Sequence, residues 1–299
     1  MNKYYLYMDK KYFRYLPEFN AFGIADDEVK DLFHLELNVN AYQHLGLNPP
    51  AKNAPVVGFL AGREDGFYTI DFDYAYAIAK TGVKIVFLDY EHCFQQMSKC
   101  HGLILPGGSF PSPHDYYADE VNKDILPEPS KRSRAYIICF HTALLMQIPI
   151  LGICAGAQVI GAECGGYLYP DESYLSSAIA HKTNELYAHE VNIVPKSLLH
   201  KLTGKTKLMT NSRHRETLCG IHDWILLCDY DLQIIARSAD GVPESWVLVD
   251  KTTGANIALC IQWHPENFVR AENSDISNAH YSIYKWLADE AKLFKDTIG

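Results

Sequence analysis

The chain has no surplus of positive charge: Lys and Arg total 27 against 36 for Asp and Glu, a formal net charge of -9. Such a surface does not attract phosphate backbones or anionic lipid, so no nucleic-acid or membrane partner is expected. The short basic cluster Lys131-Arg132-Ser133-Arg134 reads as a solvated helix start. There is no Cys-x-x-Cys pair, no His-Glu-x-x-His or other metal-ligand set and no phosphate-binding P-loop, so neither metal dependence nor an ATP site is predicted, and no cofactor is expected. The 8 cysteines are irregularly spaced and do not form a disulfide framework. No secretory apolar segment can be drawn at the start, where Lys3, Asp9, Lys10 and Lys11 flank a short aromatic patch. A reducing, cytoplasmic location is the expectation. Internal repeats and low-complexity tracts are absent as well.

One stretch, Tyr136 to Gly161, is nearly uncharged and long enough to resemble a membrane span. Pro149 divides it. A helix over 131–147, a buried strand over 149–153 and a second helix account for its apolarity through a packed core.

What is present is a chain of 299 residues, 48% hydrophobic, enough to bury a large core and hold one α/β domain of about 200–250 residues. Apolar runs at 56–60, 84–88 and 103–105 alternate with helical patterns such as 72–80. That alternation predicts a mostly parallel central sheet between two helical layers, a three-layer α/β sandwich. The later half, with apolar segments at 190–194, 224–228, 233–237 and 246–250, predicts an additional strand-rich, antiparallel extension.

Ile150-Leu151-Gly152-Ile153-Cys154-Ala155-Gly156 is an apolar strand running into a glycine-flanked cysteine, the strand-to-helix elbow on which hydrolases hold a nucleophile. Small residues at 152 and 156 permit the sharp turn, and a helix starting just past Cys154 favours a thiolate there. As isolated residues these would equally suit a tight turn around a buried cysteine. A partner base is offered by Ile261-Gln262-Trp263-His264-Pro265-Glu266, where an apolar strand ends on an imidazole and a carboxylate. His264 takes the role of base and Glu266 that of orienter. A third strand, Leu103-Ile104-Leu105, ends in Pro106-Gly107-Gly108, whose N–H groups would complete an oxyanion hole with that of Ala155.

In this order and spacing, Gly-Ile-Cys-Ala-Gly-Ala-Gln and Gln-Trp-His-Pro-Glu resemble the class I glutamine amidotransferase superfamily, a flavodoxin-like fold, over roughly residues 55–290. Within it the chain resembles the γ-glutamyl hydrolase branch, which includes the γ-glutamyl-γ-aminobutyrate hydrolases. Supporting segments are Gly165-Gly166-Tyr167-Leu168-Tyr169-Pro170-Asp171, Ala188-His189-Glu190-Val191, Asn211-Ser212-Arg213-His214 and Ala239-Asp240-Gly241-Val242-Pro243-Glu244. The resemblance implies a Cys154, His264, Glu266 triad, a thioester to a γ-glutamyl carbonyl, and Gln158, Ser212 and His214 near the substrate. It departs from the branch at Ala155, often Arg there; at Arg215-Glu216, often His-Gln; and in the loop after Gly108, which lacks an acidic residue shortly after the glycines. A γ-glutamyl small molecule or peptide is therefore the expected substrate. A glutaminase subunit serving a separate synthetase and a non-catalytic regulatory or binding protein are the alternatives.

Residues 1–54 stand outside the resemblance, and 55–299 form the expected catalytic domain. The extension is rich in aromatics, among them Tyr4, Tyr5, Tyr7, Tyr12, Phe13 and Tyr15, and ends in the breaker run Leu47 to Pro55. A wrap packed on the core is expected, with a lid, a homodimer contact or a partner-binding arm as the other readings.

Overall fold

The structure, a computed structural model, describes residues 12–25, 35–108, 114–118, 130–170, 179–221 and 229–298. Among the described residues, five parallel strands occupy the middle of a 14-stranded sheet, in the spatial order Lys84–Leu88, Val56–Leu60, Gly102–Leu105, Ile150–Ile153 and Asn256–Ile261. Strands covered on both faces need apolar side chains at every position, which is why they appear in the sequence as continuous apolar runs. Phe59, Ile104, Ile153 and Ile261 pack on one face against helices Phe72–Ala79 and Ser274–Ile298. Leu103, Leu105, Ile150 and Cys260 pack on the other against helices Lys131–Met146 and Ala155–Glu163. The three-layer α/β sandwich is thus present.

Local signals set the helix ends. Ser130 caps the helix Lys131–Met146 by accepting from the Ser133 N–H, and Gln147 closes it in the left-handed region at φ 58°. Pro149 follows and returns the chain to the sheet as the strand Ile150–Ile153. No helix among the described residues is long and apolar enough to cross a membrane.

Beyond Asn256–Ile261 the sheet continues antiparallel through Pro243–Asp250, Tyr230–Ser238, His189–Ile193 and Lys207–Thr210. This is the strand-rich extension; the segment 224–228 lies outside the described residues. At the opposite edge, Leu35–Leu37 pairs antiparallel with Lys84–Leu88, and Tyr12–Leu16, Ala21–Ala25, Phe67–Asp71 and Gly62–Glu64 follow. The described part of the aromatic N-terminal segment is therefore woven into the same sheet. Phe22 and Tyr42 are buried, and the Tyr15 ring lies 3.8 Å from that of His44. Tyr4, Tyr5 and Tyr7 fall outside the described residues.

Tyr116 and Tyr117 are both buried in the core, with the Tyr116 hydroxyl bonded to Glu163. One local expectation is corrected. Arg132, within the basic cluster, is not a solvated helix-start residue. Its guanidinium turns inward to donate to the carbonyl of Gly107 and, at 2.8 Å, to the hydroxyl of Tyr136.

Candidate active site

The strand Ile150–Ile153 ends on Cys154 at φ 49°, ψ -111°, and the helix Ala155–Glu163 begins at the next residue. A side-chain-bearing residue in that region costs about 1–3 kcal/mol and survives only where its surroundings hold it. Here the Cys154 N–H donates to Ile261 O at 2.8 Å, and the Gly156 N–H donates to Pro106 O at 3.1 Å. A Cβ on Gly156 would run into the Leu105 carbonyl, and one on Gly152 would lie 3.0 Å from the backbone of Ala157. Glycine at both positions lets the helix seat directly on the sheet. Cys154 is left at the carboxyl ends of the parallel strands, 6% exposed at the floor of a cleft.

His264 emerges just after the neighbouring strand Asn256–Ile261. Asn211 clamps its backbone from both sides: the His264 N–H donates to Asn211 Oδ1 at 2.8 Å, and Asn211 Nδ2 donates to His264 O at 2.9 Å. Glu266 Oε1 lies 2.6 Å from His264 Nδ1. The opposite ring nitrogen, Nε2, is thereby left on the side of the ring available to Cys154, whose sulfur acts electrostatically on the ring. Burial disfavours a charged ring, but the Glu266 carboxylate and the Cys154 sulfur outweigh it, and the imidazole is pushed up to about 10. Tyr284, on the C-terminal helix, donates to Glu266 Oε2 at 3.1 Å, so both carboxylate oxygens are engaged.

The Gly107-Gly108 loop faces this pair. An added Cβ at Gly107 would stand 2.6 Å from His264 Cε1 and 3.3 Å from Cys154 Cβ, so only glycine lets the loop approach. Its N–H, however, donates to the Tyr74 hydroxyl at 3.0 Å. The Ala155 N–H, first of its helix, has no acceptor within the helix. Tyr136 and Arg132 hold the loop from below through the carbonyls of Pro106, at 2.7 Å, and Gly107.

The cleft above Cys154 encloses about 490 Å³ and is lined in part by Arg63, Asp71, Tyr74, Arg132, Arg213 and His264. The structure brings Cys154, His264, Gly107 and Gly108 to its wall, with Glu266 directly behind His264. It does not bring Gln158, Ser212 or His214 there. Gln158 is buried and donates to Glu216 O at 2.8 Å and Gln262 Oε1 at 3.1 Å. Ser212 donates to His181 O at 2.7 Å, and His214 Nδ1 faces Glu216 O at 3.0 Å. Tyr74, Arg132, Asn211 and Tyr284 are the site residues that sequence reasoning missed. Of these, Asn211 alone carried a signal, lying in the Asn-Ser-x-His segment.

A parallel sheet that delivers a strained cysteine, a carboxylate-backed histidine and a Gly-Gly loop to adjoining strand ends defines a class I glutamine amidotransferase-like domain. A Thermoplasma acidophilum protein assigned to GMP synthase shares this fold, with a TM-score of 0.55 at 15% identity over 83% of this chain and 99% of that one. The Peptidase C26 family model matches residues 55–266, and the chain belongs to that family of glutamine amidotransferase-like hydrolases. The glutamine amidotransferase-like protein YvdE of Lactococcus lactis is 30% identical over 58% of this chain and 69% of its own length. The γ-glutamyl-γ-aminobutyrate hydrolase PuuD of Escherichia coli is 29% identical over 58% of this chain and 66% of its own.

Proposed function

We propose that the protein hydrolyses a γ-glutamyl amide or isopeptide bond through a thioester on Cys154. The observation that carries the reading is the convergence of Cys154 and His264, the latter backed by Glu266, in a cleft whose walls present Arg63, Arg132 and Arg213 together with one carboxylate, Asp71. A γ-glutamyl group carries an α-carboxylate and an α-ammonium, and that set of charges complements both. The name of the PuuD relative describes cleavage of such a bond, which supports the same substrate class.

In the proposed reaction the Cys154 thiolate adds to the γ-carbonyl carbon, and the oxyanion is stabilised by the N–H groups of Ala155 and Gly108. The imidazolium of His264, oriented by Glu266, gives its proton to the departing amine as the C–N bond breaks. Neutral His264 then takes a proton from water, whose oxygen adds to the thioester carbon. Collapse releases a γ-carboxyl group and returns the sulfur.

A panel of glutamine, γ-glutamyl amines, γ-glutamyl peptides and polyglutamates tests the reading, with Cys154→Ala as control. Turnover of at least one γ-glutamyl compound that vanishes in Cys154→Ala is the expected result. An alanine variant that keeps its rate would overturn it. Activity that appears only when a second protein is added would make the chain an ammonia-donating glutaminase instead. Failure of an electrophilic glutamine analogue to label Cys154 would indicate a non-catalytic module.

A further inference from the structure

The wall of the cleft beside Cys154 carries an arginine, Arg132, whose hydrogen bonds go to neutral oxygens. Its place is fixed by the glycine loop. From Pro106 to the Gly107 carbonyl, each backbone polar group of that loop has a partner. The Pro106 carbonyl accepts from the Tyr136 hydroxyl at 2.7 Å and from the Gly156 N–H at 3.1 Å. The Gly107 N–H donates to the Tyr74 hydroxyl at 3.0 Å, and the Gly107 carbonyl accepts from Arg132 Nη2. The next group along the chain is the Gly108 N–H, in a residue that lines the cleft. An added Cβ at Gly108 would stand 2.4 Å from the guanidinium carbon of Arg132, so only glycine lets the arginine lie against the loop.

A trans peptide is planar, with its C=O and N–H pointing in opposite directions. Whatever fixes the Gly107 carbonyl therefore fixes the Gly108 N–H. Glycine on both sides leaves this peptide free to turn over, because neither residue has a Cβ to exclude one of the two orientations. Turned over, it would present a carbonyl oxygen to a developing oxyanion, and repulsion would replace a hydrogen bond. Arg132 selects between the two, since its guanidinium is charged at every working pH and can only donate. Tyr136 steadies that guanidinium, accepting from Nε at 3.1 Å and from Nη2 at 2.8 Å. Positive charge at the Gly107 carbonyl also polarises the peptide, which strengthens the Gly108 N–H as a donor.

We propose that Arg132 is the positioning residue of the oxyanion hole: it holds the Gly107–Gly108 peptide with its N–H turned towards Cys154, so that the hole stands assembled before substrate arrives. The inference rests on the reading of Cys154 as a nucleophile that attacks a carbonyl, and it does not depend on which amide is cut. It makes Gly108 the donor of the loop, because the Gly107 N–H is taken up by Tyr74. Arg132 then serves the transition state, and charge complementarity to the substrate falls to Arg63 and Arg213.

The test compares two reactions of Cys154 in the full chain, each corrected by Cys154→Ala. p-Nitrophenyl acetate acylates the thiolate: the sulfur adds to the carbonyl carbon, an oxyanion forms, and its collapse expels p-nitrophenolate. Iodoacetamide alkylates the same sulfur by displacement of iodide, and no oxyanion forms. In Arg132→Met, acylation should fall about 100-fold, the scale of removing one oxyanion donor, while alkylation stays within about twofold of the parent. Arg132→Lys keeps the charge without the planar fork and should recover about tenfold of that loss. On a γ-glutamyl substrate Arg132→Met should lower kcat and leave KM in place. Unchanged acylation in Arg132→Met would overturn the proposal. Equal losses in both reactions would do the same by reducing Arg132 to a structural residue, and a raised KM at unchanged kcat would make it a substrate contact instead. Should Arg132→Met not fold, Arg132→Lys decides: an acylation loss of about tenfold with normal alkylation supports the proposal, and no selective loss overturns it. A parent chain that is acylated at Cys154 yet turns over no γ-glutamyl compound would sink the γ-glutamyl reading alone, and the acylation comparison would still decide the role of Arg132.

Discussion

Tyr284 and Glu266 are joined by a hydrogen bond of 3.1 Å from the phenol to Oε2, on the side of the carboxylate away from His264. Burial, reinforced by Glu266, holds the Tyr284 phenol well above its ordinary pKa, so it donates throughout the working pH range. Hydrogen bonds to charged groups contribute about 1.5–3 kcal/mol, and part of that here goes into fixing the orientation of Glu266. Tyr284→Phe is expected to lower kcat roughly tenfold with little change in KM, as a positioning residue should. Steady-state kinetics on a γ-glutamyl substrate checks this; an unchanged kcat would show that Glu266 holds its place without the phenol.

Gly107→Ala places a methyl group 2.6 Å from His264 Cε1. The ring must move, and in the proposed reaction a displacement of about 1 Å at the proton-transferring group costs on the order of 100-fold in rate. A fall in kcat of that size is expected alongside a nearly unchanged Tm, since the loop lies at the cleft surface. Wild-type rates in the variant would refute the contact.

The protonated form of His264 persists to about pH 10, because burial is outweighed by Glu266 and Cys154. In the proposed reaction the imidazolium is the proton donor to the leaving amine. The alkaline limb of kcat/KM should therefore fall near pH 10, not near the 6.5 of an ordinary histidine. A pH–rate profile that already declines between 6 and 7, at roughly the ordinary histidine value, would contradict the pairing.

His280 shows the opposite shift. Burial lowers it to about 3, and the neutral ring accepts from Trp263 Nε1 at 3.2 Å while its Nε2 donates to Met209 O at 3.1 Å. Below the ordinary value of 6.5 the unfolded chain takes up a proton that the folded one refuses, so stability falls as pH drops from about 6.5 toward 3. Denaturant titrations across that window should show the slope, and His280→Gln should flatten it. An equal slope in both proteins would assign the acid sensitivity to other groups.

For substrate recognition, Asp71→Asn is expected to raise KM about tenfold for substrates with a free α-amine and to leave N-acetylated analogues unaffected. Parallel kinetics on an acetylated and a free substrate decides this. Equal effects on the two would remove Asp71 from the α-ammonium contact.

The chemistry of the elbow was legible because its constraints are local. A strand that must turn into a helix within one residue needs small neighbours, and Gly152 and Gly156 record that need, as Gly107 records the approach of His264. The parallel core was legible for a related reason: strands buried on both faces leave long apolar runs, as at Ile150–Ile153 and Gly102–Leu105. The edges were harder to read. The short N-terminal strands and Phe67–Asp71 draw their stability from pairing with one another and carry little pattern of their own.

Residues adjacent in the chain were enough to specify the strained cysteine, the histidine and glutamate that follow a neighbouring strand, and the sandwich that carries them. Which side chains stand around Cys154, His264 and Glu266 was settled by packing alone. Tyr284 reaches Glu266 from the last helix, Arg132 turns inward to the glycine loop, and Asn211 clamps His264 across 53 residues. Contacts of this kind are set by how elements pack, and residue spacing along the chain does not encode them.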